Sequence, residues 1–147
     1  MELWAWASAA YARPGVSQAC LLLQDEFEQN VCFLLWASWA RSQDAAVLAR
    51  GAAIARDWEV VAAGPLRAVR RALKNPRPPV GDAARERLRN SVKATELEAE
   101  KVLLETLERL GAPAAEPATA DALAAAVQAW GRPAPDDALA ALWKALS

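Results

Sequence analysis

The segment VCFLLWASWA, residues Val31–Ala40, is the longest uncharged apolar run in the chain, and only Ser38 interrupts it. A helix needs about 20 such residues to cross a membrane, so we expect this run to form a buried helix in a soluble protein. Asn30 precedes the run and has the side chain of a helix N-cap. The segment therefore predicts a central helix over Val31–Arg41, around which the other helices pack.

Helical periodicity continues on both sides of this central helix. The other helices are predicted over Glu2–Ala12, Val16–Asp25, 44–63, Leu66–Lys74, Asp82–Leu110, Thr119–Trp130 and Asp136–Leu146. The helix that begins after Asp44 is the most regular, with an apolar stripe at Val47, Gly51, Ile54, Trp58 and Val61. Gly64-Pro65 is expected to end it, and the next helix is expected to lie at an angle.

These helices predict an all-α fold in two parts. Residues 1–111 form a compact bundle of about six helices, and residues 119–147 form a helical hairpin after a linker over 112–118. Because short helices are marginal alone, we expect the hairpin to dock on the bundle, with docking on a partner as the alternative. Trp130 and Trp143 are candidate hairpin anchors for such contacts.

The composition excludes several classes of function. The chain contains no histidine, which removes histidine-based acid–base catalysis, histidine-containing triads and the E-x-x-H signature of helical di-iron proteins. Cys20 and Cys32 lie in apolar segments and are expected to be buried thiols rather than zinc ligands or a disulfide. Nucleotide-binding glycine motifs are absent. We therefore expect no metal and no cofactor, and we favour a non-enzymatic protein.

The N-terminal segment does not resemble an export signal. Met1–Ala12 contains Glu2 and neither Lys nor Arg, so it lacks the basic region with which a signal peptide begins. The chain also has no apolar segment of membrane-spanning length. We therefore expect a cytoplasmic protein that makes no use of a membrane.

The N-terminal part of the chain resembles a known family. The residues that carry the resemblance are Leu3-Trp4-x-Trp6-Ala7, Tyr11, Pro14-Gly15-Val16, Cys20-Leu21-x-Leu23-Gln24-Asp25 and Leu34-Leu35-Trp36. With weaker similarity at Pro65-Leu66-Arg67 and Glu96–Glu100, they are similar to a proteobacterial family of small proteins known only as a domain of unknown function. The resemblance covers most of residues 3–110 and departs at Glu28-Gln29-Asn30, where we expect a glycine-bearing turn. It implies a soluble bacterial helical protein and no particular activity.

Positive charge is concentrated in one stretch of the chain. Residues 67–93 contain nine basic residues against Asp82 and Glu86, a local net charge of +7, whereas the whole chain carries −1. Four of these cations share one helical face by their i, i+3, i+4, i+7 spacing: Arg67, Arg70, Arg71 and Lys74. Such a face predicts an adaptor, regulator or assembly factor that binds an acidic protein surface or another anion. Nucleic acid ranks last because the chain is slightly acidic overall.

The same cations have an alternative role inside the molecule. Glu96 and Glu100 lie four residues apart on the long helix and repel each other unless cations are near. If the long helix folds back along the short basic one, Arg67 or Arg71 supplies those cations. The sequence leaves both interpretations open.

The tryptophans also allow two interpretations. Five of them fall in the predicted bundle: Trp4, Trp6, Trp36, Trp39 and Trp58. We expect these rings to fill the core of an alanine-rich bundle. The alternative is a small-molecule pocket, in a binding protein or an unrecognised enzyme, formed by Trp4, Trp36, Gln24 and Asp25.

Asp25 has a simpler interpretation than a role in a pocket. It is more readily explained as a helix cap or as the acceptor of an indole N–H. Leu97 and Leu104 lie off the main apolar stripe of the long helix. Binding to a second copy of the chain through these two leucines is compatible with either function.

Overall fold

The computed structural model describes residues 2–111 and 120–147. Over these two ranges the protein is all-α and contains no strand, as the composition predicts. Its helices are α1 (Leu3–Tyr11), α2 (Val16–Phe27), α3 (Val31–Ala40), α4 (Ala45–Trp58), α5 (Gly64–Ala72), α6 (Asp82–Glu108), α7 (Ala120–Trp130) and α8 (Asp136–Leu146). The predicted linker over 112–118, together with Thr119, lies outside the described residues. None of the described helices combines the length and apolar character of a membrane-spanning segment.

The central helix is α3, as predicted. Every residue from Phe33 to Ala40 is buried, and α1, α2, α4, α6 and α7 all pack against this helix. Asn30 caps it, since its side-chain oxygen accepts a hydrogen bond of 2.9 Å from the main-chain N–H of Phe33. Trp36 is fully buried and lies so close to α4 that a Cβ on Gly51 would be 2.4 Å from its ring. A glycine at that position lets the two helices approach.

The C-terminal helices lie on the bundle and share its core. Helix α7 packs against α3 and α4, and α8 packs against α2 and α7. Leu123 and Leu142 are buried in the same apolar cluster as Phe33. At the end of α8, the carbonyl oxygen of Leu146 accepts a hydrogen bond of 2.7 Å from the Arg13 guanidinium. This burial accounts for the stability of two helices that are too short to be stable alone.

The turn after α2 departs from the usual residue preference. Glu28 adopts a left-handed conformation, with φ 53°, and the main-chain N–H of the next residue, Gln29, donates a hydrogen bond of 3.1 Å to the carbonyl oxygen of Leu23. Glycine reaches that conformation at lower cost than glutamate does. This is the turn at which the family resemblance leads us to expect a glycine.

The chain does not break at Gly64-Pro65, and the prediction of a helix end there is wrong. Helix α4 continues through a π-helical turn, Glu59–Ala63, directly into α5. The N–H of Gly64 bonds the carbonyl oxygen of Glu59, which would lie 2.6 Å from a Cβ at this position. Pro65 is the second residue of α5, which directly follows the π turn.

Helix α5 and the first half of α6 project from the bundle as a pair, which we call the arm (residues 64–95). Arg85 is the one buried residue within it. Leu88 of α6 is 54% exposed. The buried side of α6 begins at Ala99 and includes Leu104, so the assignment of Leu104 to a dimer surface is wrong. Leu97 is exposed as predicted.

Candidate functional site

Two cations of the predicted basic face form ion pairs inside the molecule. The Arg67 guanidinium lies 2.6 Å from the Glu59 carboxylate, and Nε of Arg70 donates to the Glu96 carboxylate. Both pairs are partly buried, so salt screens them less than it screens surface pairs. The long helix therefore does fold along the short basic one. The partner of Glu96 is Arg70, however, and not Arg67 or Arg71.

The other two cations of that face are more open to solvent. Arg71 lies 3.7 Å from Asp25, and both side chains are exposed, so this contact contributes little to stability. Asp25 also accepts a long hydrogen bond of 3.5 Å from Gln24. These contacts replace the cap or indole contact that we expected of Asp25. Lys74 is exposed and forms no ion pair with any described residue.

Further exposed cations lie on the connection between α5 and α6 and on the first half of α6. Arg77 stands in the connection between α5 and α6, and Arg87 and Lys93 are exposed on α6. Within the described ranges none of the three forms an ion pair, although Arg77 donates a long hydrogen bond to a main-chain carbonyl. We call Lys74, Arg77, Arg87 and Lys93 the basic end. Sequence analysis counted these residues in the local charge but singled out only Lys74.

Acidic residues on α6 neutralise the other cations nearby. Arg85 lies 3.2 Å from Asp82 and 3.4 Å from Glu86, and Arg89 lies 3.8 Å from Glu86. Two of these contacts join residues three positions apart on the helix, a spacing visible in the sequence. Subtracting such pairs from the local charge is the signal that would have identified the basic end.

A polar cleft of about 590 Å³ lies beside the base of the arm. Gln24, Asp25 and Glu28 line it on one side. Its cations come from α4, α5 and the turn after α7: Arg56, Arg67, Arg71 and Arg132. Acids or carbonyl oxygens already bind each of these cations, as in the 3.0 Å contact of Arg132 with Glu28. The cleft therefore has nearly balanced charge.

The two tryptophans predicted to anchor the hairpin make contacts within the chain. The Trp130 indole donates a 2.8 Å hydrogen bond to the carbonyl oxygen of Glu28, and its ring centre lies 5.6 Å from that of Phe33. The Arg56 guanidinium covers the Trp130 ring at 5.0 Å. Trp130 is therefore buried at the edge of the polar cleft, whereas Trp143 is half-buried against the core.

An apolar groove of about 430 Å³ lies between α1–α3 on one side and α5 and α6 on the other. Its wall is formed mainly by large apolar side chains: Trp4, Tyr11, Leu21, Val31, Leu35 and Leu97. Trp4 and Gln24, two residues of the predicted pocket, line this groove. Trp36 is buried in the core instead, and Asp25 lines the neighbouring cleft. The structure thus divides the predicted pocket among three places.

One carboxylate in the groove has no direct partner. Glu100 forms neither a hydrogen bond nor an ion pair with the residues that the structure describes. Partial burial and the charge of Glu96 raise the pKa of Glu100, while Arg67 and Arg70 oppose that shift. Water still reaches the Glu100 side chain, because it lines a groove and is not enclosed.

The thiols add no reactive group. Burial raises the pKa of Cys20 to about 12, and burial also raises the pKa of Cys32, which lines the groove. Both are therefore protonated at neutral pH and lack the thiolate that nucleophiles and metal ligands require. Among the described residues, no group of three or more Cys, Asp or Glu side chains has a geometry suited to a metal ion.

The fold and these sites define a small all-α protein with a bundled body, a basic arm and an apolar groove at the junction of the two. The chain belongs to the family described as Protein of unknown function (DUF2390), which matches residues 2–107. The match includes the arm and the groove. No curated protein and no solved structure matches the chain.

Proposed function

We propose that this protein is a non-enzymatic interaction protein, an adaptor or regulator, whose basic end binds an acidic surface of another protein. The observation that carries the proposal is the distribution of ion pairs on the arm. Arg67, Arg70 and Arg85 are neutralised internally, whereas the four cations of the basic end have no acidic partner among the described residues. Unpaired cations gathered on one projecting element attract an acidic partner and speed its association.

A protein partner fits the arm better than a nucleic acid does. Val80 and Leu88 of the arm are each 54% exposed, and aliphatic side chains contact protein surfaces more favourably than they contact phosphates. The arm has no aromatic residue on which a base could stack. The net charge of −1 also confines the positive field to the arm.

The proposed setting is the cytoplasm of a bacterium. Two free cysteines, Cys20 and Cys32, are typical of a protein that works in a reducing compartment. The family resemblance supports a bacterial source.

The proposal is tested by reversing charge on the basic end without touching an internal ion pair. The variant Lys74→Glu, Arg77→Glu, Arg87→Glu is compared with Arg50→Glu, Arg109→Glu, Lys144→Glu, which makes the same charge change at exposed positions outside the arm. Each tagged chain is expressed in its native host and isolated after crosslinking, and the captured proteins are quantified by mass spectrometry. Melting temperatures check that both variants fold.

We expect an acidic protein to be recovered with the wild type and the control and to fall at least tenfold with the arm variant. Recovery that is equal for all three chains would contradict the proposal. Loss of a nuclease-sensitive nucleic acid from the arm variant would contradict it as well, in favour of nucleic-acid binding.

A further inference from the structure

We propose that the apolar groove binds a small cationic amphiphile, an arylamine or alkylamine whose apolar body lies along Trp4 and whose ammonium group pairs with Glu100. This inference is independent of the interaction proposed for the basic end, which lies elsewhere on the molecule. It rests on the shape of the groove, the exposed apolar side chains at its edge, and its charge.

The groove has the size and lining of a small-molecule site. Its volume of about 430 Å³ lies within the range of ordinary ligand pockets, about 300–1,000 Å³. Three large apolar side chains from three different helices remain exposed around it: Tyr11 of α1, Leu21 of α2 and Leu97 of α6. Single exposed apolar residues are common on protein surfaces, but several that converge on one concavity indicate a binding surface.

The charges in the groove favour a cation. Two guanidinium groups line it, and both are neutralised, Arg67 by Glu59 and Arg70 by Glu96. Glu100 remains, without a hydrogen bond or ion pair to any described residue. Among the described residues, Glu100 is therefore a groove carboxylate without a direct ion pair, and it lies next to apolar walls, where pairing with an opposite charge is stronger than in water.

Lys101, which follows Glu100 in the chain, does not provide the positive charge that would pair with the Glu100 carboxylate. The ammonium group of Lys101 lies 5.9 Å from the centre of the Trp4 ring, and Lys101 does not line the groove. It forms no ion pair with Glu100, since none within 4.0 Å is found among the described side chains. Within the described part of the chain, the Glu100 carboxylate is therefore left without an ion-pair partner.

Two probes with the same apolar body and opposite charge test this inference: 2-phenylethylamine and 3-phenylpropionate. Each is titrated into the full-length ¹⁵N-labelled chain, and main-chain amide shifts are followed by NMR. We expect the amine to produce saturable shifts around Trp4, Cys32 and Leu97, and to bind at least tenfold more tightly than the acid. The Glu100 carboxylate, which has no direct ion pair among the described residues and lies beside apolar walls, is the physical reason for that preference.

Matched variants separate the ion pair from general apolar binding. Glu100→Gln removes the charge from the groove, whereas Glu98→Gln removes one from an exposed position on the same helix, outside the groove. We expect Glu100→Gln to weaken amine binding at least tenfold and to leave binding of the acid unchanged or stronger. The Glu98→Gln variant should bind both probes as the wild type does.

Three results would overturn the inference. They are equal affinities for amine and acid, unchanged amine affinity in Glu100→Gln, and the absence of saturable shifts in the groove. The proteins captured through the basic end should be the same for Glu100→Gln and wild type, so failure of one proposal is distinguishable from failure of the other.

Discussion

The body and the arm of this protein are held by different forces. In the body, α1–α4, the second half of α6, α7 and α8 share one apolar core, and eight consecutive residues of α3 are buried. In the arm a single residue is buried, and that residue is the charged Arg85. Burial of apolar area stabilises the body, whereas ion pairs and half-buried contacts orient the arm. The body therefore sets the fold, while the arm is free to carry surface chemistry.

The largest test of this contrast replaces one buried leucine. Leu142 of α8 is fully buried, so Leu142→Ala should destabilise the protein by about 2–5 kcal/mol in chemical denaturation. The same change in the arm, Leu88→Ala, should cost under about 0.5 kcal/mol because Leu88 is mostly exposed. Unfolding of α8 before the rest of the body would contradict the shared core.

A second test acts on the junction between body and arm. Gly64→Ala would place a Cβ 2.6 Å from the carbonyl oxygen of Glu59, so we expect a loss of about 1–3 kcal/mol despite the better helix propensity of alanine. Gly81→Ala is the control, because no atom lies within 4 Å of its Cβ position. A stabilised Gly64→Ala variant in thermal denaturation would show that the π turn gives way easily.

A third test removes one of the two partly buried ion pairs of the arm. Arg70→Ala leaves Glu96 without its partner and near Glu100, which should lower stability by about 1 kcal/mol. Hydrogen exchange should become faster in α5 and the first half of α6 and remain unchanged in α3, since local opening follows local contacts. Arg71→Ala, which breaks an exposed contact, should change neither measurement.

The smallest expected effect concerns the pH dependence of Glu100. Because folding raises the pKa of this carboxyl, the wild type loses stability as pH rises from the ordinary glutamate range through the raised pKa. Glu100→Gln lacks that loss, so it should match the wild type near pH 4 and exceed it at pH 7. Melting temperatures across this range provide the measurement, and a variant less stable at pH 7 would contradict the expectation.

Local signals in the sequence were sufficient for most of the helices. The apolar run of α3 and the Asn30 cap depend only on neighbouring residues, and both are found as predicted. The π turn was missed because Gly-Pro usually ends a helix, and nothing local reveals that an extra residue is accommodated before it. Val61 is exposed for the same reason, because the extra residue of the π turn shifts the apolar stripe of the helix.

The candidate sites depend on contacts between distant parts of the chain. Arg70 and Glu96 are 26 positions apart, and periodicity alone cannot decide which cation on α5 reaches which acid on α6. The buried side of α6 likewise depends on which helices cover it, which is why Leu104 was assigned to the surface. Trp36 and Trp4 look equivalent in sequence, but one fills the core and the other lines the groove.

The π turn at Glu59–Ala63 also bears on how sequences of this family should be aligned. A π turn holds one residue more than the α turn that it replaces, so it absorbs one extra residue without changing the side-chain phase of the helix beyond it. A relative that lacks one residue here could run α-helical throughout and still present the same face of α5. A one-residue gap at this point in an alignment is therefore compatible with an unchanged face of α5, whereas the same gap inside α5 would rotate every later side chain of that helix by about 100°.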